Sequence, residues 1–274
     1  MTSSTLGELC WFNGRLEKIA NVRIDPSDRG FTLGDGLFET LLWTGQEIRF
    51  FEDHMARMGH GASQLGLSIP FDIASIEQGL LSLAAKSGVK RGALRLTLTR
   101  GTGPRGLKVP ENGQPNLLAT LAAVPAEFPT VEACVVDVWR AGGAPSARFK
   151  TLSYVDNIVA LSMAQAQGAD DGLMRGPDES IACATSSNVI IKVEGTWRTP
   201  PIEDGALPGI IRGRLIRAGL VAEGRVSLFD LTRCEAACLT NAITGVRPIH
   251  TLSGLALDTD PARFESLRAA VSSG

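Results

Sequence analysis

Residues 150–157 read KTLSYVDN. The lysine is one of only six, against 21 arginines, and Tyr154 is the single tyrosine. An amine that acts as a nucleophile must be uncharged part of the time, so it needs desolvation or a neighbouring cation. Phe149, Leu152 and Tyr154 supply the residue types for an apolar wall around Lys150. Lys86 and Lys90 bracket a helix end, Lys108 lies in an open loop and Lys192 precedes a hairpin turn, so they suit that task less well.

Working outward from this stretch, the upstream loop AGGAPSARFKTLS follows an apolar run, ACVVDVW (133–139), that reads as a strand. The downstream residues form a helix that stops at Gly168. Two prolines in PAEFP (125–129) separate apolar runs and mark a domain boundary. The chain is therefore expected to form two α+β lobes, 1–124 and 130–274, with Lys150 carried by the second. In the first lobe, Cys10–Ile24 reads as short strands around an FNG turn. DRGFTLGDG (28–36) reads as a loop with positive-φ glycines, and LFETLLW (37–43) as a strand with GQEIRF (45–50) as its hairpin partner. Helical spacing predicts helices over 52–65 and 73–87. GALRLTLTR (92–100) alternates strictly, with Leu94, Leu96 and Leu98 on one face and Arg95, Thr97 and Thr99 on the other. A loop over 100–115 then precedes a strand at 116–124. In the second lobe, VIIKV-EG-TWRTP (189–200) reads as a hairpin, Pro208 opens a helix over 210–220, and residues 237–249 supply late strands.

Composition narrows the function classes. Lys+Arg and Asp+Glu total 27 and 29, a net charge of −2, which leaves no basic excess for a nucleic-acid or anionic-membrane partner. No apolar run approaches the ~18–20 residues of a membrane helix. The opening MTSSTLGELCWFNG lacks the basic start and apolar stretch of a signal peptide, which points to the cytoplasm. Five scattered cysteines fit reduced, buried thiols. His54 and His60 stand six apart and no HExxH occurs, so no metal site is expected.

An anion site is expected instead. The helix opened by Pro208-Gly209 offers the N–H groups of Ile210 and Ile211 at its positive end, and Arg57 supplies a forked cation. In order along the chain stand DRGFTLGDGLFET (28–40), HMARM (54–58), TRGTGPRG (99–106), KTLSYVDN (150–157), ATSSN (184–188), TPP (199–201), LPGIIR (207–212) and LTNAITGVRPI (239–249). This series resembles the class IV aminotransferases along nearly the whole chain. That family comprises the fold-type IV pyridoxal 5'-phosphate (PLP) enzymes, among them branched-chain and D-amino-acid transaminases and 4-amino-4-deoxychorismate lyase. The resemblance implies the two-lobed α+β fold of D-amino-acid aminotransferase and a homodimer. It makes Lys150 the Schiff-base lysine and proton shuttle, and Tyr154 the partner of the cofactor's 3′-oxygen. Arg57 and the Ile210 and Ile211 amides become the phosphate ligands. Arg105 becomes a carboxylate-binding arginine reaching the partner subunit's site, and Thr40 the threonine that faces the reacting carbon in lyases.

Five positions depart from the family pattern. Cys183 stands where a glutamate faces the pyridine nitrogen and keeps it protonated. Ile211 and Ala242 replace hydroxyl residues at the phosphate, each loss removing a hydrogen bond to a charged group worth about 1.5–3 kcal/mol. Leu107 and Leu42 also replace a tyrosine and an arginine common in the family. Three readings follow. The first is a working enzyme with a neutral pyridine, eliminating pyruvate from 4-amino-4-deoxychorismate to give 4-aminobenzoate. The second is an amino-acid transaminase in which Cys183 compensates as a thiolate. The third is a binding protein on a degenerate PLP fold.

Overall fold

The computed structural model describes residues 6–111 and 113–272. The first five residues of the opening stretch, read above for their lack of a leader, lie outside the described residues. The chain forms two compact units: Met1–Ala126 with Lys150–Ser153, and Glu127–Phe149 with Tyr154–Gly274.

The first unit contains β1 (Leu6–Phe12), β2 (Arg15–Lys18), α1 (Arg29–Leu33), β3 (Gly36–Trp43), α2 (Phe51–Leu65), α3 (Ile73–Ser87), β4 (Gly92–Thr99) and β5 (Asn116–Ala123). Its strands form one antiparallel sheet in the order β2-β1-β5-β4-β3, which leaves β3 at an edge. Asn13 and Gly14, both at positive φ, close the β1–β2 turn. Register pairs Leu37, Glu39 and Leu41 of β3 with Leu98, Leu96 and Leu94 of β4. These leucines are buried and form one face of the sheet. Phe38 and Thr40 lie on the opposite face, across from Thr97 and Arg95. Helix α3 approaches β1 so closely that a Cβ at Gly79 would come within 2.4 Å of the Trp11 indole, so the helix tolerates a glycine there.

The second unit contains β6 (Val131–Trp139), α4 (Pro145–Arg148), α5 (Val155–Ala166), β7 (Asp171–Arg175), β8 (Ile181–Ala184), β9 (Asn188–Val193) and β10 (Thr196–Thr199), followed by α6 (Ile210–Arg217), β11 (Ala222–Glu223), α7 (Leu228–Thr232), β12 (Ala236–Asn241), β13 (Gly245–Leu252), β14 (Leu255–Ala256) and α8 (Glu265–Ser272). Its mixed sheet runs β11-β10-β9-β12-β13-β6-β7-β8, with β14 on β13. A core of Val131, Leu173, Ile181, Val189, Ile191, Leu239 and Ile249 fills one face of this sheet.

Three sequence expectations need correction. DRGFTLGDG is not all loop, because the Asp28 side chain accepts from Gly30 N and caps the short helix α1; only Gly34 of its glycines has positive φ. GQEIRF is not a strand. It touches β3 through a single Trp43–Ile48 bridge, and β4 is the true partner of β3. Lys150 does not group with the C-terminal unit, because residues 150–152 are hydrogen-bonded along β3. Phe38 N donates to Lys150 O at 2.9 Å, Leu152 N donates to Gly36 O at 3.0 Å, and Leu37 bridges Thr151.

Candidate functional site

Edge strand β3 carries Thr40 and is hydrogen-bonded to the Lys150 segment. The backbone pairing above fixes Lys150 beside Phe38, and its Nζ lies 4.4 Å from the Phe38 ring centroid. The Arg95 guanidinium lies 3.7 Å from the same centroid. Arg95 is the cross-strand partner of Thr40, so Phe38, Thr40, Arg95 and the Lys150 amine share one face. In β3 only Thr40 is partly exposed, its neighbours being buried. The hydroxyl of Thr151, on the opposite face with its bridge partner Leu37, is buried without a hydrogen-bond partner.

On the next residue of β3, the opposite face holds a charge cluster. Glu39, 1% exposed, accepts from Arg57 Nε at 2.8 Å, from Arg57 Nη2 at 2.5 Å, and pairs with His54 Nδ1 at 2.7 Å. Burial by itself would raise the Glu39 carboxyl. The Arg57 charge and the hydrogen bonds from Arg57 and His54 outweigh it and bring the group down to about 2. The carboxylate therefore stays ionised and holds the guanidinium fork. His54 and Arg57 are both on α2, three residues apart, which turns both toward β3.

The second unit assembles three turn tips. Asn188 Nδ2 donates to Leu207 O at 2.8 Å and fixes the approach to α6. Asn241 Nδ2 donates to Ser187 Oγ at 3.0 Å, while its Oδ1 accepts from the amides of Ile243 and Thr244. Helix α6 begins at Gly209, which has no capping side chain; a Cβ there would lie 1.9 Å from Asn188 Oδ1. The N–H groups of the first turn, Ile210 and Ile211 among them, thus form a cationic helix start suited to a phosphate. The Ile211 side chain is buried, so only its amide serves such a ligand. Ala242 lies in the tip ordered by Asn241, and the Thr240 hydroxyl beneath it is buried without a partner. Tyr154 is the residue that opens α5.

Cys183 is buried on β8 among Cys134, Val136, Ala160, Met174 and Ala182. Burial pushes its thiol up to about 11; nearby Arg140 opposes this and Asp171 adds to it. A thiol in that range is protonated at neutral pH, so the expected thiolate compensation is corrected. The strand is held by a polar net: Thr185 Oγ1 donates to Asp171 Oδ1 at 2.6 Å, and Asn157 Nδ2 to Thr185 O at 2.7 Å.

Arg105 is exposed on the loop after β4. Sequence reading missed Arg95, Glu39, Asn188 and Asn241. Arg95 was readable from the strict β4 alternation, which puts it on the same face as Thr97. Glu39 has a sequence signal too, as an acidic residue on an otherwise buried strand. The first unit supplies an amine and arginines, and the second a helix start, each of the chemistry that one part of a phosphorylated aldehyde needs. The Thr240 hydroxyl, two residues before Ala242, is a buried polar atom without a hydrogen-bond partner. The residues present therefore fit a phosphorylated aldehyde cofactor.

The family model for amino-transferase class IV matches residues 36–252. The chain is 26% identical over 254 residues to a D-alanine aminotransferase of Listeria monocytogenes, covering 89% of this chain and 87% of that one. A candidate 4-amino-4-deoxychorismate lyase from Legionella pneumophila superposes with a TM-score of 0.84 at 27% identity, covering 93% and 96% of the two chains. The branched-chain aminotransferase of Thermoproteus uzoniensis, solved with norvaline, shares the fold at a TM-score of 0.86 and 22% identity over 96% and 93%. The chain belongs to the class IV aminotransferases, the fold-type IV family of pyridoxal-phosphate enzymes.

Proposed function

We propose that this enzyme removes pyruvate from 4-amino-4-deoxychorismate, leaving 4-aminobenzoate. The observation that carries this reading is the Thr40 hydroxyl, the one partly exposed side chain of β3, on the face where the Lys150 amine stands. When bound, the cofactor withdraws electrons from the amine-bearing carbon of the substrate. Lys150 Nζ is the amine that carries the cofactor, and it takes the proton from that carbon. Thr40 hydrogen-bonds the departing enolpyruvyl oxygen as the ring becomes aromatic. Arg95 and Arg105 take substrate carboxylates. In the first unit Arg57, held by Glu39, is the guanidinium for the cofactor phosphate; in the second, the Ile210 and Ile211 amides are the phosphate donors and Tyr154 the partner of the ring oxygen. The exposed stripe of Val155, Ile158 and Val159 on α5 supports a homodimer, since adjacent apolar residues at i, i+3 and i+4 form a continuous patch.

The test is pyruvate release from purified protein given 4-amino-4-deoxychorismate and no amino acceptor. The reading expects stoichiometric pyruvate and 4-aminobenzoate. Turnover of D- or branched-chain amino acids only with 2-oxoglutarate overturns it in favour of a transaminase, the activity carried by the Listeria relative.

Cys183 is the position facing the pyridine nitrogen in this proposal, and a neutral thiol there forms no charge-assisted bond. Cys183→Glu is expected to tighten PLP about 10- to 100-fold, the equivalent of one hydrogen bond to a charged group. It is also expected to speed transamination of amino acids. Absorbance titration of the cofactor-free variant reads the first effect; an unchanged binding curve contradicts the assignment.

A further inference from the structure

We infer that Arg29 is a positioning residue that clamps the loop carrying Arg105, so that the exposed arginine is presented from a fixed backbone. The inference rests on the reading of Arg105 as a carboxylate-binding residue. Arg29 is buried in the first turn of α1, although its charge would ordinarily seek water. Its Nε donates to Asp35 Oδ2 at 2.8 Å. Its outer nitrogens reach three successive carbonyls: Nη1 donates to Gly106 O at 3.0 Å and to Lys108 O at 3.3 Å, and Nη2 to Leu107 O at 3.4 Å. One planar fork thereby gathers the backbone immediately after Arg105.

The anchor is itself held. Asp35 also accepts from Arg100 Nε at 2.7 Å and Nη2 at 3.0 Å, and Arg100 donates onward to the carbonyls of Gly66 and Leu65 at the end of α2. The neighbouring residue secures the root of the loop. Asp28 Oδ2 accepts from Thr99 Oγ1 and from Asn116 Nδ2, one at each end of the excursion between β4 and β5. Arg29 N donates to Gly101 O at 2.8 Å, and Asp28 bridges Thr102. Gly103 lies directly against the clamp, where a Cβ would come within 2.8 Å of Arg29 Cδ.

A loop of this length left unanchored would lose its freedom each time Arg105 gripped a ligand, and that entropy would subtract from affinity. Arg29 takes that cost at folding. Lysine cannot substitute, because a single ammonium reaching Asp35 cannot also span three carbonyls. The device accounts for the DRGF stretch, which holds none of the chemistry itself.

The test uses the cofactor-loaded enzyme with Arg29→Lys, which keeps a positive charge beside Asp35, and Arg105→Leu as reference. Arg29→Lys is expected to raise KM for the carboxylate substrate about 10-fold with kcat changed less than about twofold, and to leave PLP affinity alone. Trypsin is expected to cut after Lys108 about 10-fold faster than in the parent. Arg105→Leu is expected to raise KM without faster cutting at Lys108. Gly103→Ala, which only presses on the Arg29 stem, is expected to shift both readouts in the same direction and keeps the test available if Arg29→Lys fails to fold. Parental cutting rates at Lys108 in a folded Arg29 or Gly103 variant overturn the clamp. Unchanged KM in all three variants, with faster cutting in the Arg29 and Gly103 variants, shows that Arg105 does not bind the carboxylate, and it overturns the positioning role while the clamp contacts stand.

Discussion

Lys150→Ala is expected to lower turnover by at least about 10³-fold while leaving the fold intact. Two losses combine: the amine that accepts the cofactor and the base that moves the substrate proton are the same atom, and general-base catalysis alone contributes about 10²- to 10⁴-fold. The backbone is indifferent to the change. Lys150 is tied to β3 through its carbonyl, which accepts from Phe38 N at 2.9 Å, and alanine keeps that bond. One contact of the side chain is with the Phe38 ring, and losing a partly exposed cation–π contact costs only about 0.5–1 kcal/mol. Steady-state turnover measured beside a melting curve separates the two. A variant that retains turnover within about tenfold of the parent contradicts the role of this amine.

Glu39→Gln is the second large effect, and its sign depends on pH. The carboxyl falls from an ordinary 4.5 to about 2 on folding. The unfolded chain therefore binds the proton more readily between those values, and stability rises with pH across that window. The contribution is full above about 4.5, and it is lost as pH falls toward 2. The difference of roughly two to three pH units corresponds to about 3 kcal/mol, since one unit is about 1.4 kcal/mol. Glutamine keeps the shape but cannot neutralise Arg57, so the variant is expected to be less stable by about 3 kcal/mol at pH 7. Denaturant titrations of both proteins from pH 7 to pH 2 should converge at the acid end. A difference that stays constant with pH contradicts the charge cluster. PLP affinity is expected to fall as well, because Arg57 loses the fork that aims it.

Strands with strict alternation were legible in the sequence. GALRLTLTR forms β4, with its leucines buried and Arg95 on the other face, as its pattern requires. Helices α2 and α3 were legible because apolar spacing and a terminal glycine agree at both. By contrast, β7 and β8 are short and buried on both faces, so DGLMR and IACA carry no alternation to read. The attachment of Lys150 to β3 was also out of reach. It depends on backbone pairing between residues more than 110 positions apart, which no local pattern encodes. The same holds for Glu39, whose partners on α2 are fixed only once the helix lies on the sheet. What sequence reading did reach was the chemistry of individual positions: an isolated lysine, a helix start preceded by glycine, and an arginine one helix away.

The most direct test of the account is borohydride reduction of the purified, cofactor-loaded protein followed by tryptic digestion and mass spectrometry. The account predicts a yellow protein that bleaches on reduction, with the cofactor's mass fixed on the peptide beginning at Phe149, at Lys150. A reduced adduct on another lysine, or a protein that takes up no cofactor to fix, would contradict it.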